Sequence, residues 1–187
     1  MKIQEIKNAR WLESGAVDCE VLFEGETALV PYTAIQDDTA ETGRHIWQEL
    51  QSGKWGAPAP FTVTPELIAA AKEGKKREIE AWRREQEAKP FIFEWKGRNW
   101  NAGPDSMARL SPVVMASKSS AARDVMTWGD AGNQQVKMSM PELEELAAAM
   151  AQASMDRSNE IYLRQREMKE VLSSLEDLGS IRAFNVE

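Results

Sequence analysis

Very few residues of this 187-residue chain could carry out catalysis or bind a metal ion. His45 is the only histidine and Cys19 the only cysteine, and they lie far apart in sequence. One Cys and one His cannot form a closed zinc site, and one Cys cannot form an intrachain disulfide. No nucleophile-elbow pattern accompanies His45, so a Ser-His-Asp arrangement is not supported. The sequence therefore predicts no catalytic, cofactor-binding or metal-binding residue, and it predicts that Cys19 is a small buried apolar residue.

Acidic residues could in principle act as a general acid and a general base. The adjacent pairs are Asp37 with Asp38, Glu144 with Glu145, and Glu176 with Asp177. Neighbouring side chains diverge on a helix or loop, whereas acid and base catalysis needs carboxyl groups that converge on one cleft. We interpret these pairs as solubilising surface. A small hydrolase of glycans or cell-wall material is kept only as a second alternative.

The charge distribution argues against several classes of protein. The net charge is −7, and both ends of the chain are acidic around a weakly basic middle. Nucleic-acid affinity comes largely from Lys and Arg that neutralise phosphates, so we expect no nucleic-acid partner. No apolar run is long enough to cross a bilayer, and Met1–Glu5 lacks the apolar core of a signal peptide. We therefore expect a cytoplasmic protein with no membrane partner.

The first 62 residues are predicted to form a small β-rich domain. Alternating apolar residues predict a strand at Val17–Phe23, and a return strand is expected at Ala28–Tyr32. Met1–Ile6 could add a third strand. A short helix is expected at Thr39–Gln51, and the Pro- and Gly-rich segment Lys54–Pro60 marks the best domain boundary.

Residues 63–89 are predicted to form a connecting helix. Thr64, Pro65 and Glu66 have the residue types that begin helices, and the helix should continue to Lys89. Its apolar stripe is thin and interrupted, which is typical of a connector or of an element that depends on a partner, rather than of a core helix. The resulting fold class is α+β: a small N-terminal antiparallel β unit, the connecting helix, and a C-terminal unit over residues 90–187.

An aromatic β-hairpin opens the C-terminal unit. With Lys96 and Gly97 as the turn, Phe93 lies opposite Trp100 across the ladder, and such aromatic pairs stabilise hairpins. A short helix is expected at Asp105–Val114. Two further strands are expected at Val125–Trp128 and Gln134–Met138.

A long helix is predicted from Glu142 to Leu178, because this segment contains no Pro or Gly. Apolar residues and two arginines recur at steps of three and four in a heptad-like stripe. An unbroken helix would be about 55 Å long. It must therefore either bend back near Ser154–Ser158 or pack along a partner. Its stripe is either one face of a domain core, or a seam that binds a second copy of the chain or a partner helix.

The candidate interface residues come from this stripe and from two tryptophans. Trp55 lies in the Gly-Pro segment and Trp82 on the charged helix, where large rigid aromatics could anchor an interface. A charged residue at a core-facing position is costly unless it is paired, so the two arginines should reach solvent or meet carboxylates of a partner chain. The candidates are Trp55, Trp82, Arg157, Ile161, Arg164, Met168 and Leu175.

The central and C-terminal residues also resemble a known family. The helix Lys76–Arg83, the aromatic hairpin Pro90–Asn101 and the segment Asp105–Leu110 resemble a domain of unknown function found in tailed-bacteriophage genes near tail fibres. Trp128 and the helix beginning at Met140 supply the later parts, so the likeness covers about residues 75–178. Residues 1–60 look like the small amino-terminal domain of the same phage proteins.

The resemblance implies a non-enzymatic phage tail protein that acts by protein contacts in assembling a tail fibre or tail tip, and it brings no catalytic residues or cofactors. The expected partner is a tail-fibre or tail-tip protein, with self-association as a further option. The alternative is a permanent virion component that links or decorates the fibre or tip. The expected location is the host cytoplasm during phage assembly, or the tail of the virion.

Overall fold

The structure is a computed structural model that describes residues 2–119 and 124–187. The chain divides into two compact units, Met1–Thr64 and Pro65–Glu187. The predicted α+β class is confirmed, since each unit combines antiparallel strands with helices. The helix expected to be a separate connector over residues 63–89 belongs instead to the second unit, because it packs along the last long helix there.

The first unit is a three-stranded antiparallel sheet with one helix. Its elements are β1 (Ile3–Trp11), β2 (Val17–Phe23), β3 (Val30–Ala34) and α1 (Glu41–Gln51). The strand order is β1-β2-β3, and Met1, where the first strand was predicted to begin, lies outside the described residues. β3 begins at Val30, two residues later than expected, because the ladder between β2 and β3 ends at the pair of Val21 and Val30.

The core of the first unit follows from the alternation in β2. Alternate side chains of a strand point to one face of a sheet, and here that face packs on α1. The buried residues of β2 and α1 are Val17, Cys19, Val21, Phe23, Gly43, Ile46 and Leu50. The prediction of a buried Cys19 is thus confirmed, with 4% of the residue exposed. A Cβ at Gly43 would collide with the Asp38 carboxylate and the Tyr32 hydroxyl, so any side chain there would displace this hydrogen-bonded pair.

The second unit contains two separate β-hairpins. They are β4 (Phe91–Trp95) with β5 (Arg98–Ala102), and β6 (Val125–Gly129) with β7 (Gln135–Ser139). In the first hairpin Phe93 pairs with Trp100, as predicted. Lys96 and Gly97 have φ values of 49° and 71°, and two positive φ values at a two-residue loop match the twist of the flanking strands.

Four helices complete the second unit. They are α2 (Pro65–Ala88), α3 (Pro104–Ser117), α4 (Met140–Ser174) and α5 (Leu178–Ala183). α4 begins with a capping box, in which the Ser139 hydroxyl accepts a hydrogen bond from the Glu142 amide and the Glu142 carboxylate accepts one from the Ser139 amide. α4 is continuous through Ser154–Ser158, so the bend considered there is wrong. It ends at Ser174 rather than Leu178, and Asp177 then caps α5 by accepting from the Ser180 amide.

The length of α4 is explained by two successive cores within its own chain. Its 35 residues extend about 52 Å at 1.5 Å per residue. The first half buries Leu143, Leu146 and Met150 against the hairpins and α3, including Trp100. The second half buries Met168 and Leu172 with residues of α2 and α5. No partner chain is therefore needed to explain a helix of this length.

Candidate functional site

The buried stripe of α4 differs from the predicted one in its second half. The residues buried there are Ile161, Gln165, Met168 and Leu172, whereas Arg164 and Val171 are exposed. From Leu143 onward the buried and half-buried positions follow the 3.6-residue period of a straight α-helix instead of the 3.5-residue heptad. The predicted stripe is thus wrong at Arg164 and Val171, because in each case the structure buries the next residue along the chain instead.

Three of the predicted interface residues contribute to packing within the chain. Ile161 is 8% exposed and Met168 is 2% exposed, and Met168 packs among residues of α2 and α5. Leu175 is half-buried beside the same core. The expectation that Ile161 and Met168 face another subunit is corrected by this burial, because their side chains are already covered by their own chain.

The two arginines of the predicted stripe have partners in their own chain. Arg157 donates a 3.2 Å hydrogen bond to the Gln86 carbonyl, and its guanidinium lies 4.9 Å from the centre of the Phe91 ring. Arg164 is exposed, and it donates to the Glu187 carbonyl at 2.8 Å and to the Glu167 carboxylate at 2.7 Å. Neither cation is left unpaired in an apolar core: Arg164 reaches solvent, which is one of the two expected outcomes, and half-buried Arg157 bonds a backbone carbonyl of its own chain.

The two tryptophans proposed as anchors are half-buried in different units. Trp82 packs beside the core formed by α2, α4 and α5. Trp55 packs beside the core of the first unit, and its indole N–H donates a 2.8 Å hydrogen bond to the Glu49 carboxylate. This bond is the main cause that lowers the pKa of Glu49, and a hydrogen bond from Lys54 lowers it further. The structure does not bring Trp55 and Trp82 together into one site within either unit.

Polar contacts fix the register of α2 against α4. Lys169 and Glu80 form a 2.5 Å ion pair, and the Lys169 hydrogen bond is the main cause that lowers the pKa of Glu80. Lys72 at the start of α2 donates to the Ser173 carbonyl at the end of α4. The two helices are therefore antiparallel, and this seam is an internal contact of the second unit.

A different set of apolar side chains on α4 remains exposed. Met155, Tyr162 and Leu163 are 66%, 47% and 57% exposed, and we call these three residues the outer stripe. Tyr162 and Leu163 follow Met155 by seven and eight residues, which places all three on one face of the helix, away from the buried face. Sequence analysis missed them, although a second apolar set at this spacing was the available signal.

The described residues show no sign of a metal centre. No group of three or more His, Cys, Asp or Glu residues in ranges 2–119 and 124–187 is arranged to hold a metal ion. None of the helices in the described part of the chain has both the length and the apolar character needed to cross a bilayer.

Comparison with known proteins identifies a family for the second unit. Residues 70–183, more than half of the chain, match the family model described as Domain of unknown function (DUF4376). This range begins in α2 and ends with α5, so it contains both hairpins and all of α4. No curated protein and no solved structure gives a significant match. The chain therefore belongs to the DUF4376 family, a family defined by a domain of unknown function.

Proposed function

We propose that this protein is a non-enzymatic bacteriophage protein that acts through protein contacts in assembling a tail fibre or tail tip in the host cytoplasm. Support comes from the resemblance of residues 75–178 and 1–60 to phage proteins encoded near tail fibres. The family match over residues 70–183 covers the same part of the chain but carries no statement of function.

The observation that carries the proposal is the outer stripe. Met155, Tyr162 and Leu163 lie on a helix whose opposite face is filled by its own chain. Fully burying a large apolar side chain contributes about 1.5–3 kcal/mol, so three of them on one helix face offer a favourable contact for a partner. An assembly factor requires a surface of this kind, which binds a protein without needing a reaction centre.

Co-purification with a candidate tail-fibre protein tests the proposal. We expect the double variant Tyr162→Ser with Leu163→Glu to lose the fibre, because the charge would have to be buried without a partner. Val171→Glu is the matched control, since Val171 is 44% exposed on another face of the same helix. If both variants retain the fibre equally well, the outer stripe is not the surface that contacts it.

Mass spectrometry of purified virions separates a transient factor from a permanent component. An assembly factor that leaves is absent from the particle, whereas a linking or decorating component is present at fixed stoichiometry. We expect absence. Recovery of the chain from washed virions would favour the alternative role as a virion component, acting through the same contacts.

A further inference from the structure

The two hairpins of the second unit border an open cleft of about 300 Å³. Its walls include Asn101 of β5 together with Thr127 and Gly129 of β6, and α3 contributes Ser106 and Arg109. β5 and β6 are both edge strands, because each hairpin is a separate two-stranded sheet. Edge strands present backbone N–H and C=O groups that can pair with another chain.

The backbone of β5 faces this cleft at alternate residues. The Asn99 carbonyl accepts a 2.9 Å hydrogen bond from the Ala131 amide, outside the β4–β5 ladder. The polar groups of Asn99 therefore point away from β4. In an antiparallel pair this direction alternates, so the backbone groups of Asn101 point the same way. The Asn99–Ala131 bond closes one end of the cleft.

The backbone of β6 presents the opposite wall. The Asp130 amide donates a 3.1 Å hydrogen bond to the Gln134 carbonyl, one residue beyond the last pair of the β6–β7 ladder, so this amide points toward the β7 side of the hairpin. By the same alternation, the N–H and C=O groups of Gly129 and Thr127 point outward from the hairpin. Both residues line the cleft and are exposed.

The charge in the cleft favours an acidic ligand. The Asp130 carboxylate already accepts hydrogen bonds from the Gly132 and Gln134 amides, each at 2.9 Å, and it pairs with Arg98 at 3.2 Å. Arg109 donates through its Nε to the Asp105 carbonyl at 3.2 Å, and its other guanidinium nitrogens bond no residue in ranges 2–119 and 124–187. No carboxylate among the described residues pairs with the Arg109 guanidinium. Its free N–H groups are suited to a carboxylate in bidentate geometry.

We propose that the cleft binds an extended acidic segment of a partner polypeptide by strand addition. The segment hydrogen-bonds the outward backbone groups of Thr127 and Gly129, and one of its Glu or Asp side chains pairs with Arg109. The proposal goes beyond the assembly role, because the recognition concerns a peptide conformation and one charge, whatever protein contains them.

Three capped pentapeptides serve as probes in fluorescence polarisation with the full-length protein. The first has the sequence Thr-Val-Glu-Val-Thr, the second replaces Glu by Gln, and the third replaces both Val residues by Pro. We expect the Gln peptide to bind about tenfold more weakly, as a lost charge-assisted hydrogen bond predicts, and the Pro peptide not to bind. Equal binding of the Gln peptide overturns the acidic preference, and equal binding of the Pro peptide overturns strand addition.

Variants of the cleft connect the binding to its residues. Gly129→Pro removes one outward amide without removing a ladder bond, and proline is accepted at such edge positions. No heavy atom lies within 4 Å of a Cβ placed at Gly129, so the site has room. We expect this variant to lose the Glu peptide. Ile92→Pro is the matched control, because Ile92 pairs with Asn101 and its amide points outward on the far edge of the β4–β5 hairpin.

Arg109→Gln provides a second and independent measurement. We expect it to bind the Glu and Gln peptides equally, and a retained preference for Glu would overturn the role of Arg109. The outer-stripe variant Leu163→Glu should bind the Glu peptide as the unmodified protein does. If the unmodified protein binds the Glu peptide but never retains a fibre protein, the assembly role fails while the cleft stands. If no peptide binds while the fibre is retained, the cleft fails alone.

Discussion

Arg83 of α2 donates a 3.1 Å hydrogen bond to the side-chain carbonyl of Gln165, a residue of α4 that is only 2% exposed. Gln165 is the one glutamine buried among the described residues. Its side-chain Nε2 makes no hydrogen bond of good geometry with any described residue, but the Gln165 amide lies close enough to the Glu80 carboxylate to help lower the pKa of that group. Gln165 therefore links α4 to α2 through Arg83 and Glu80, with its buried donor only weakly satisfied.

Replacing Gln165 by Leu should raise the free energy of unfolding by about 1 kcal/mol, because an apolar side chain of similar size replaces a buried donor that has only a weak contact with Glu80. Arg83 keeps its 2.7 Å ion pair with Glu87 in that variant. Urea denaturation measures the change. Gln152→Leu, at an exposed position of the same helix, is the control and should change stability by less than about 0.5 kcal/mol. A loss of stability in Gln165→Leu would mean that the hydrogen bond from Arg83 stabilises the fold by more than the poorly satisfied Gln165 amide destabilises it.

Replacing Trp100 by Ala should destabilise the second unit by about 3–5 kcal/mol, since it removes a large aromatic from a packed core. Trp100 is 2% exposed, and its indole N–H donates to the Trp95 carbonyl at 3.2 Å. Thermal and urea unfolding measure the effect. Ile92→Ala, at a residue 61% exposed, should be nearly neutral. Unchanged melting of Trp100→Ala with lost partner binding would instead identify Trp100 as an interface residue.

Truncation after Asn159 tests how α2 is held. The sequence suggests that such a chain keeps a folded amino-terminal unit and only loses assembly. The structure adds that Ile79 of α2 is fully buried and shares one core with Met168 and Leu172 of α4 and with Leu178 and Ile181 of α5. We therefore expect hydrogen exchange to show loss of protection in α2.

The same truncation has an internal reference in the first unit. The core of that unit contains only residues of the unit itself. Its amides should therefore keep their protection in the truncated chain. Preserved protection in α2 would show that the distal half of α4 does not stabilise it.

The capping box of α4 should make stability depend on pH in the acid range. Hydrogen bonds from the Ser139 amide and hydroxyl lower the pKa of Glu142 below its ordinary value of 4.5. The unfolded chain then binds the proton more tightly, so this stabilisation is complete above pH 4.5 and is lost as the pH falls through the lower folded-state pKa. Urea midpoints between pH 7 and pH 3 measure it.

Glu142→Gln is expected to reduce the acid dependence of the urea midpoint. Ser139→Ala should reduce it as well, and the double variant should add little to either single change, because both residues belong to one box. Additive effects of the two substitutions would show that the box does not act as a unit.

The single thiol of the chain should be unreactive in the folded protein. Burial, and secondarily the neighbouring Asp18, raises the pKa of Cys19 to about 11. The nucleophile is the thiolate, so almost none is present at pH 8. A disulfide exchange reagent should react slowly with native protein and react with one equivalent in guanidinium. Rapid reaction without denaturant would contradict the burial of Cys19.

The sequence by itself determined the features that depend on neighbours in the chain. The turn at Lys96 and Gly97 set the hairpin register, and so Phe93 lies opposite Trp100. The Pro- and Gly-rich segment ends four residues before the division that follows Thr64, and α4 begins at Met140, two residues before the expected Glu142. Each of these features depends on backbone preferences and hydrogen bonds among residues that are close in the chain, so it can be predicted from the local sequence.

Only the tertiary structure decided which face of α4 is covered. A straight helix drifts by about 20° per heptad from an exact seven-residue repeat, so three heptads after Leu143 the two periods select different residues. At that point the choice lies between Arg164 and Gln165, both polar, and hydropathy cannot distinguish them. The packing of α2 buries Gln165 and leaves Arg164 in solvent. The cleft between β5 and β6 was equally hidden, because its two walls are distant in sequence and meet only through folding.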